Sequence, residues 1–270
     1  GPIGYTGLPL ANDIVGMADT VLVVGSRLKP QDTCFEHPKL LDPNRQRIVQ
    51  IDVDPRNASW TIPAEVALIG DANETLCLLL EKLAGRADAA AAAGRRRAFV
   101  GLKAAREFFN HPMLSSDALP ILPQRVVAEI QKGAPEAAII CTDAGSNRHW
   151  MNHFFQTRRT NSYFGSGGLG GVSWSLPATL CAKILQPERP AIGVCSDGGF
   201  AMQMHVLLTA SQYGANPIYV VMNNSRLGMT AESMGNRIFG NEFPDTDYAE
   251  IARACGAWAV RAETPRELGD

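Results

Sequence analysis

Short apolar runs alternate with segments of helical periodicity along most of this chain. Residues 20–25 (TVLVVG) are apolar and end in Gly25, a pattern that predicts a buried parallel strand; 47–52 (RIVQID) and 66–69 (VALI) predict the same. Residues 72–84 carry Leu76, Leu79, Leu80 and Leu83 at helical spacing. A second series starts near residue 121. Pro123 opens a helical pattern that runs to Lys132, and 137–142 (AAIICT) and 191–195 (AIGVC) read as strands. Residues 200–213 read as a mostly apolar helix closed by Gly214, 217–222 (PIYVVM) as a strand, 248–255 as a helix and 257–260 as a last strand. Strands alternating with helices predict the α/β class, as two doubly wound parallel-sheet domains. Between the two series, residues 85–112 are rich in Ala and Arg. They read as an exposed linker helix, or as a helix with breaks at Gly94 and Gly101, with Arg95-Arg96-Arg97 on a solvated face.

Composition agrees with a folded chain and removes several classes of function. At 270 residues with 46% hydrophobic and 19% charged residues, the chain can bury a large core, and two domains are expected. Net charge is −2 with no long basic block, which argues against a nucleic-acid partner. No apolar run reaches the roughly 18 residues needed to span a bilayer, and no signal peptide is read, so the expectation is a cytoplasmic protein without a membrane partner. The six cysteines are scattered without a C-x-x-C, as expected for reduced, mostly buried thiols.

The chemistry is concentrated in two short motifs. Ser196-Asp197-Gly198-Gly199 ends one apolar run, and Asn223-Asn224 ends the next, with Asp197 and Asn224 27 residues apart. A carboxylate and an amide oxygen at neighbouring strand ends form a hard-oxygen site of the kind Mg²⁺ prefers, its shell completed by phosphate oxygens. Gly198 and Gly199 stand at the start of a helix, where a phosphate could approach the backbone. Asp197 alone reads as a helix N-terminal carboxylate, but with Asn224 the metal reading is preferred. Asn223 reads as fixing the turn. Ser146 and Asn147 read as a candidate helix N-cap, a role that does not exclude another. His149 and His153 lie four residues apart, with no third metal ligand evident nearby.

The motif pair resembles the thiamine-diphosphate (ThDP) signature, G-D-G followed by N-N, of acetolactate synthase-like and 2-oxo acid decarboxylase enzymes. The resemblance extends further. Residues 163–185 (YFGSGGLGGVSWSLPATLCAKIL) resemble that family's G-G-L-G-x-M-G-x-x-L-P-A-A segment, Asp143 to Trp150 its D-x-G-Q-H-Q-M-W, and Asn223 to Met229 its N-N-x-x-x-G-M. VLVVGSRL, IVQIDVDPRNASW and Gly70-Asp71-Ala72 resemble elements of its central domain. The resemblance implies a central domain over 1–85, incomplete at its start, a linker over 86–120, and a diphosphate- and Mg²⁺-binding domain over 121–270, incomplete at its end. The family's N-terminal pyrimidine domain has no counterpart in the chain, and a fragment of a longer protein is expected.

The site roles follow from the same resemblance. Asp197, the Asn224 side chain and the Arg226 carbonyl would bind Mg²⁺. Gly198 and Gly199 would offer N–H groups to the diphosphate, and Ser146 and Asn147 would bond its far phosphate. The Gly170 carbonyl would accept from the aminopyrimidine, Val172 would wedge between the cofactor's rings, and Gly228 and Met229 would pass near the thiazolium and substrate. The activating glutamate is not in this chain and would come from an absent domain or chain. The implied activity is decarboxylation or carboligation of a 2-oxo acid by a homo-oligomer, a dimer or tetramer, or by a complex with a pyrimidine-domain partner. The alternatives are a non-catalytic ThDP-fold protein or partner subunit, and a nicotinamide or flavin protein, which lacks G-x-G-x-x-G after the first strand.

Departures from the family pattern shape these expectations. Ser196 stands for the first Gly of G-D-G, Val172 for Met or Ile, Ser146-Asn147 for Gln-His. Ser173 stands for Gly, which requires a negative φ at that position. Lys29-Pro30-Gln31 stands for D-D-R, and Thr230-Ala231-Glu232-Ser233 lacks the Trp that follows G-M in true acetolactate synthases. The expectation is therefore another decarboxylase or carboligase of the superfamily. FAD is possible through Arg27 and Asp52 but not favoured; Asp52 to Pro55 reads as a strand-ending turn.

Overall fold

Apolar, β-branched runs build two sheets whose strands are all parallel. The computed structural model describes residues 1–86, 88–106 and 109–269. The chain divides into two units, residues 1–110 and residues from 111 onward, and each is described by itself.

The first unit holds helix α1 (Pro9–Met17), strands β1 (Thr20–Val24), β2 (Arg47–Asp52) and β3 (Val66–Ile69), and helices α2 (Ala72–Leu83) and α3 (Ala89–Ala105). The sheet order is β1-β2-β3. Val23 and Ile48 face a core that includes Leu28, Leu40, Leu41 and Ile62. The strands were expected to be buried throughout, but Leu22, Val24, Val66 and Ile69 are exposed. A parallel sheet is buried on both faces only where helices cover both. Here β1 passes to β2 through turns, and no helix lies between them. Asp71 caps α2 by accepting the Glu74 N–H at 3.1 Å. Helix α3 runs unbroken through Gly94 and Gly101, with none of its residues buried and Arg95, Arg96 and Arg97 exposed. Isolated glycines cost about 1 kcal/mol in a helix without ending it. Ala87, Glu107 and Phe108, within the expected linker, lie outside the described residues.

The second unit runs from α4 (Pro123–Gly133) through β4 (Ile139–Thr142), α5 (Ser146–Phe154), β5 (Tyr163–Gly165), α6 (Ser175–Leu185) and β6 (Ala191–Ser196). It continues through α7 (Asp197–Gln203), α8 (Val206–Gln212), β7 (Ile218–Met222), α9 (Gly228–Met234), α10 (Tyr248–Ala254) and α11 (Pro265–Gly269). The sheet order is β5-β4-β6-β7. Its two faces are covered separately. Leu176, Leu180, Phe200, Val206 and Leu207 pack on one side, and Val127, Ile130 and Met151 on the other. This is why β4 and β6 read as continuous apolar runs. Chain order places a switch between β4 and β6: β4 leads outward to β5, and β6 leads the opposite way to β7. In open α/β sheets such a switch opens a crevice at the carboxyl ends of the strands.

Two expected elements differ. The single helix over 200–213 is two, because Leu207 and Leu208 donate to the carbonyls of Met204 and His205 in tight i→i−3 turns. Residues 257–260 form no strand. Ala257 and Ala259 pack on the core while Trp258 and Val260 are exposed, so the alternation of a strand is present without a partner ladder. Among the described residues no helix is long and apolar enough to cross a membrane.

Ser173 corrects another expectation. Its φ is +73°, not negative, and it is fully buried with its hydroxyl unpartnered. Its N–H donates to Asp143 Oδ2 at 2.8 Å, which holds the backbone in this region despite the Cβ. A non-glycine residue in the left-handed region costs about 1–2 kcal/mol. Ser173→Gly is therefore expected to stabilise the second unit by about 1 kcal/mol in urea unfolding; a loss of stability would show that the serine packing outweighs the backbone strain.

Candidate functional site

The carboxyl ends of the four strands gather the sequence motifs. After β4, Asp143 is fully buried, and Gly145, at φ +121°, turns the chain into α5. Gly145 is the N-cap of α5, and no side chain caps this helix. The N-cap reading of Ser146 and Asn147 is thereby corrected, since both already lie inside the first turn. Asn147 is 4% exposed, and neither its Nδ2 nor its Oδ1 has a hydrogen-bond partner. Two orphaned amide atoms on one buried side chain are costly unless something occupies them part of the time.

After β6, the Ser196 hydroxyl accepts the Gly199 N–H at 3.2 Å and caps α7. Asp197 is fully buried. Its Oδ1 accepts from Gly198 N at 2.7 Å, and its Oδ2 accepts from Asn224 N at 3.2 Å and Arg226 N at 3.1 Å. The carboxylate thus ties the first motif directly to the second. Asn223 Oδ1 accepts the Ser225 N–H at 3.0 Å, so Asn223 fixes the turn as its position implied. The Asn224 side chain lies against Gly228, where an added Cβ would stand 3.2 Å from its Nδ2. Gly228 opens α9, and Met229 is partly exposed beside it.

An open groove of about 1500 Å³ runs from this end of the second unit along the edge of β7, past Gly214 to Ile218 and residues 257–262. Ser146, Asn147, Gly170, Val172, Asn224, Arg226, Gly228 and Met229 all border it. Asp197, Gly198 and Gly199 do not; they are buried. The two glycines have protein, rather than open space, against their Cα atoms. A Cβ on Gly198 would meet Leu227 Cδ2 at 2.9 Å, and one on Gly199 would meet Asp143 Oδ2 at 2.3 Å. Both of their N–H groups are bonded to side chains at the same turn.

Asp143 has a larger part than its place in the motif indicated. It accepts from Ser173 N at 2.8 Å and Ser175 N at 3.4 Å. Burial pushes its carboxyl above the usual range, and these N–H bonds oppose that rise. The sequence signal for it is the same as for Asp197: an aspartate immediately after a buried apolar run. On α5, burial pushes the His149 imidazole below its usual value. In the first unit, Asp52 Oδ1 accepts from Asp54 N at 2.9 Å and from Asn57 Nδ2 at 3.1 Å, which is a strand-ending turn. Arg27 lies over the Trp60 ring, 5.1 Å from its centroid.

The donor set suits a magnesium diphosphate. One carboxylate, one amide side chain and one backbone carbonyl are hard oxygen donors, and among the described residues no three His, Cys, Asp or Glu side chains gather into an all-protein metal cage. Mg²⁺ is typically bound through one or two carboxylates plus substrate phosphates. Asn147 Nδ2, buried without a hydrogen-bond partner beside the same groove, is a donor of the kind a phosphate oxygen accepts from once the side chain turns outward.

The family profile described as thiamine pyrophosphate enzyme, C-terminal TPP binding domain, matches residues 143–270, and the profile for the central domain of the same enzymes matches residues 1–79. The chain belongs to the thiamine pyrophosphate enzymes. It is 29% identical over 283 aligned positions to a probable acetolactate synthase large subunit of Methanocaldococcus jannaschii, covering 99% of this chain and 46% of that protein. It is 31% identical to a sulfoacetaldehyde acetyltransferase of Roseovarius nubinhibens, covering 100% of this chain and 48% of the relative. It is 33% identical to a probable 2-ketoarginine decarboxylase of Pseudomonas aeruginosa, covering 96% and 44%. The chain spans about half the length of these curated relatives.

Proposed function

We propose that the second unit holds ThDP by its diphosphate, with Mg²⁺, and serves a decarboxylase or carboligase acting on a 2-oxo acid. The observation that carries this reading is the Asp197 carboxylate bonded to the N–H groups of Asn224 and Arg226 beside the groove. When bound, the cofactor would supply an electron sink for cleavage next to a carbonyl. The chain's own residues would bind and orient it. Asp197, the Asn224 amide oxygen and the Arg226 carbonyl would hold the metal. Ser146 and Asn147 would take the far phosphate, and the Gly198 and Gly199 N–H groups would take the diphosphate after exchanging their present acceptors. Gly170 and Val172 would contact the rings, and Gly228 and Met229 would border the reacting end.

The activating glutamate would be supplied by a domain or chain outside residues 1–270, with the assembly a homo-oligomer or a complex with a pyrimidine-domain partner. The relatives' names span acetolactate synthesis, acetyl transfer and 2-oxo acid decarboxylation, which supports the reaction class and leaves the acceptor open.

The test is calorimetric titration of the full-length protein with ThDP and Mg²⁺, followed by 2-oxo acid consumption. Saturable, Mg²⁺-dependent binding is expected. Asn147→Ala is expected to weaken it by about tenfold while leaving unliganded thermal stability unchanged or higher, because the amide atoms it removes have no partner to lose. No binding by the wild-type protein would overturn the reading. Binding without turnover of any 2-oxo acid would favour a non-catalytic cofactor-binding protein.

A further inference from the structure

The stretch from Ser166 to Ser175 carries Gly170 and Val172, and little of its own structure holds it. Gly167, Gly168, Gly170 and Gly171 give it wide backbone freedom. Among the described residues its own backbone bonds are local turns, such as Gly167 N to Gly165 O and Gly170 N to Gly167 O. Leu169, near its middle, is fully exposed. Two side chains from the turn after β4 and the first turns of α5 hold its ends. At the entry, Arg148 Nη1 donates to the Ser166 carbonyl at 2.8 Å and to its Oγ at 3.3 Å. At the exit, the fully buried Asp143 accepts from Ser173 N and Ser175 N. Gly199, without a Cβ, leaves Asp143 the space to do so.

We infer that Asp143 and Arg148 are positioning residues that clamp the two ends of the glycine-rich stretch and so fix the height of Gly170 and Val172 over the groove. The inference rests on the cofactor reading above for its consequence, but the clamp exists in the unliganded protein and can be measured there. Asp143 turns its carboxyl acceptors on two backbone N–H groups, and Arg148 is a cation with its donors aimed at a carbonyl and a hydroxyl. The Arg148 end is held by charge-assisted bonds, which are about twice as strong as neutral ones. A loop fixed before binding lowers the ordering cost charged to the ligand.

The test compares wild type, Arg148→Met and Asp143→Asn in the full-length protein by amide hydrogen exchange without cofactor, and by ThDP titration with Mg²⁺. Arg148→Met keeps the aliphatic stem and removes the donors. It is expected to speed exchange in residues 167–173 by about tenfold or more, leave the amides of β4 and β6 unchanged, and weaken ThDP binding by about tenfold. Asp143→Asn is expected to speed exchange at Ser173 and Ser175; if it fails to fold, Arg148→Met decides alone. Exchange within twofold of wild type overturns the clamp. So does weaker ThDP binding with unchanged exchange, which would make Arg148 a direct ligand contact. If wild type binds no ThDP, the cofactor reading fails, and the exchange data still decide the clamp.

Discussion

Asp197→Asn is expected to reduce Mg²⁺-dependent ThDP binding by at least about a hundredfold, beyond the 10–100-fold typical of losing a residue that only supports a metal ligand. The change is nearly isosteric, so it tests charge and acceptor capacity rather than size. The carboxylate accepts three backbone N–H groups, from Gly198, Asn224 and Arg226. An amide has one oxygen to offer, and its NH₂ would point donors at donors. Each buried N–H left without an acceptor costs about 1–3 kcal/mol, so the unliganded variant should also unfold at lower temperature. The two effects are separable. Calorimetry with and without Mg²⁺ reads the site, and thermal unfolding without cofactor reads the turn. An Mg²⁺-dependent affinity within threefold of wild type would remove Asp197 from the metal site.

Gly199→Ala is expected to be the most damaging single methyl group in the second unit. Its Cβ would stand 2.3 Å from Asp143 Oδ2, well inside contact distance. The obstacle is not a flexible side-chain end: Asp143 is fully buried, and that same oxygen accepts the Ser173 N–H. Overpacking a core costs about 1–3 kcal/mol. Displacing Asp143 would add roughly 1–3 kcal/mol for each N–H it abandons. A loss of about 3 kcal/mol or more in urea unfolding is expected, with faster exchange at Ser173. A loss below 1 kcal/mol would mean that Asp143 swings aside cheaply, and with it the clamp on the glycine-rich stretch. This glycine is required by a neighbouring carboxylate, whereas its place in the motif alone suggested room for a phosphate.

The centre of the second unit was legible because β4 and β6 are buried on both faces. Runs such as AAIICT and AIGVC have no alternation to confuse the reading, and helix α4 carries its proline where a first turn accepts it. In the first unit the three strands, α2 and α3 were legible, whereas helix α1 and the burial of the strands were not. Apolar residues at Leu22, Val24 and Val66 are compatible with either a covered or an open face, and only the placement of neighbouring elements distinguishes them. Residues 257–260 show the converse. Their pattern is that of a strand, but a strand is defined by its partner, and here no ladder forms.

The motifs named the candidate residues of the site, because hard-oxygen chemistry at strand ends calls for those residue types. Sequence spacing could also bring Asp197 to Asn224, since a single helical crossover joins adjacent parallel strands. What spacing could not determine is what each group touches. That Asp197 meets two main-chain N–H groups of the second motif depends on β6 lying beside β7, and that Asp143 and Arg148 hold the ends of one glycine-rich stretch depends on β4 lying beside β5; the burial of Asn147 without a partner is likewise visible only in the folded chain. The left-handed backbone of Ser173 belongs to the same set. Local preference opposes it, and only a buried carboxylate from a distant strand end makes it the conformation the chain adopts.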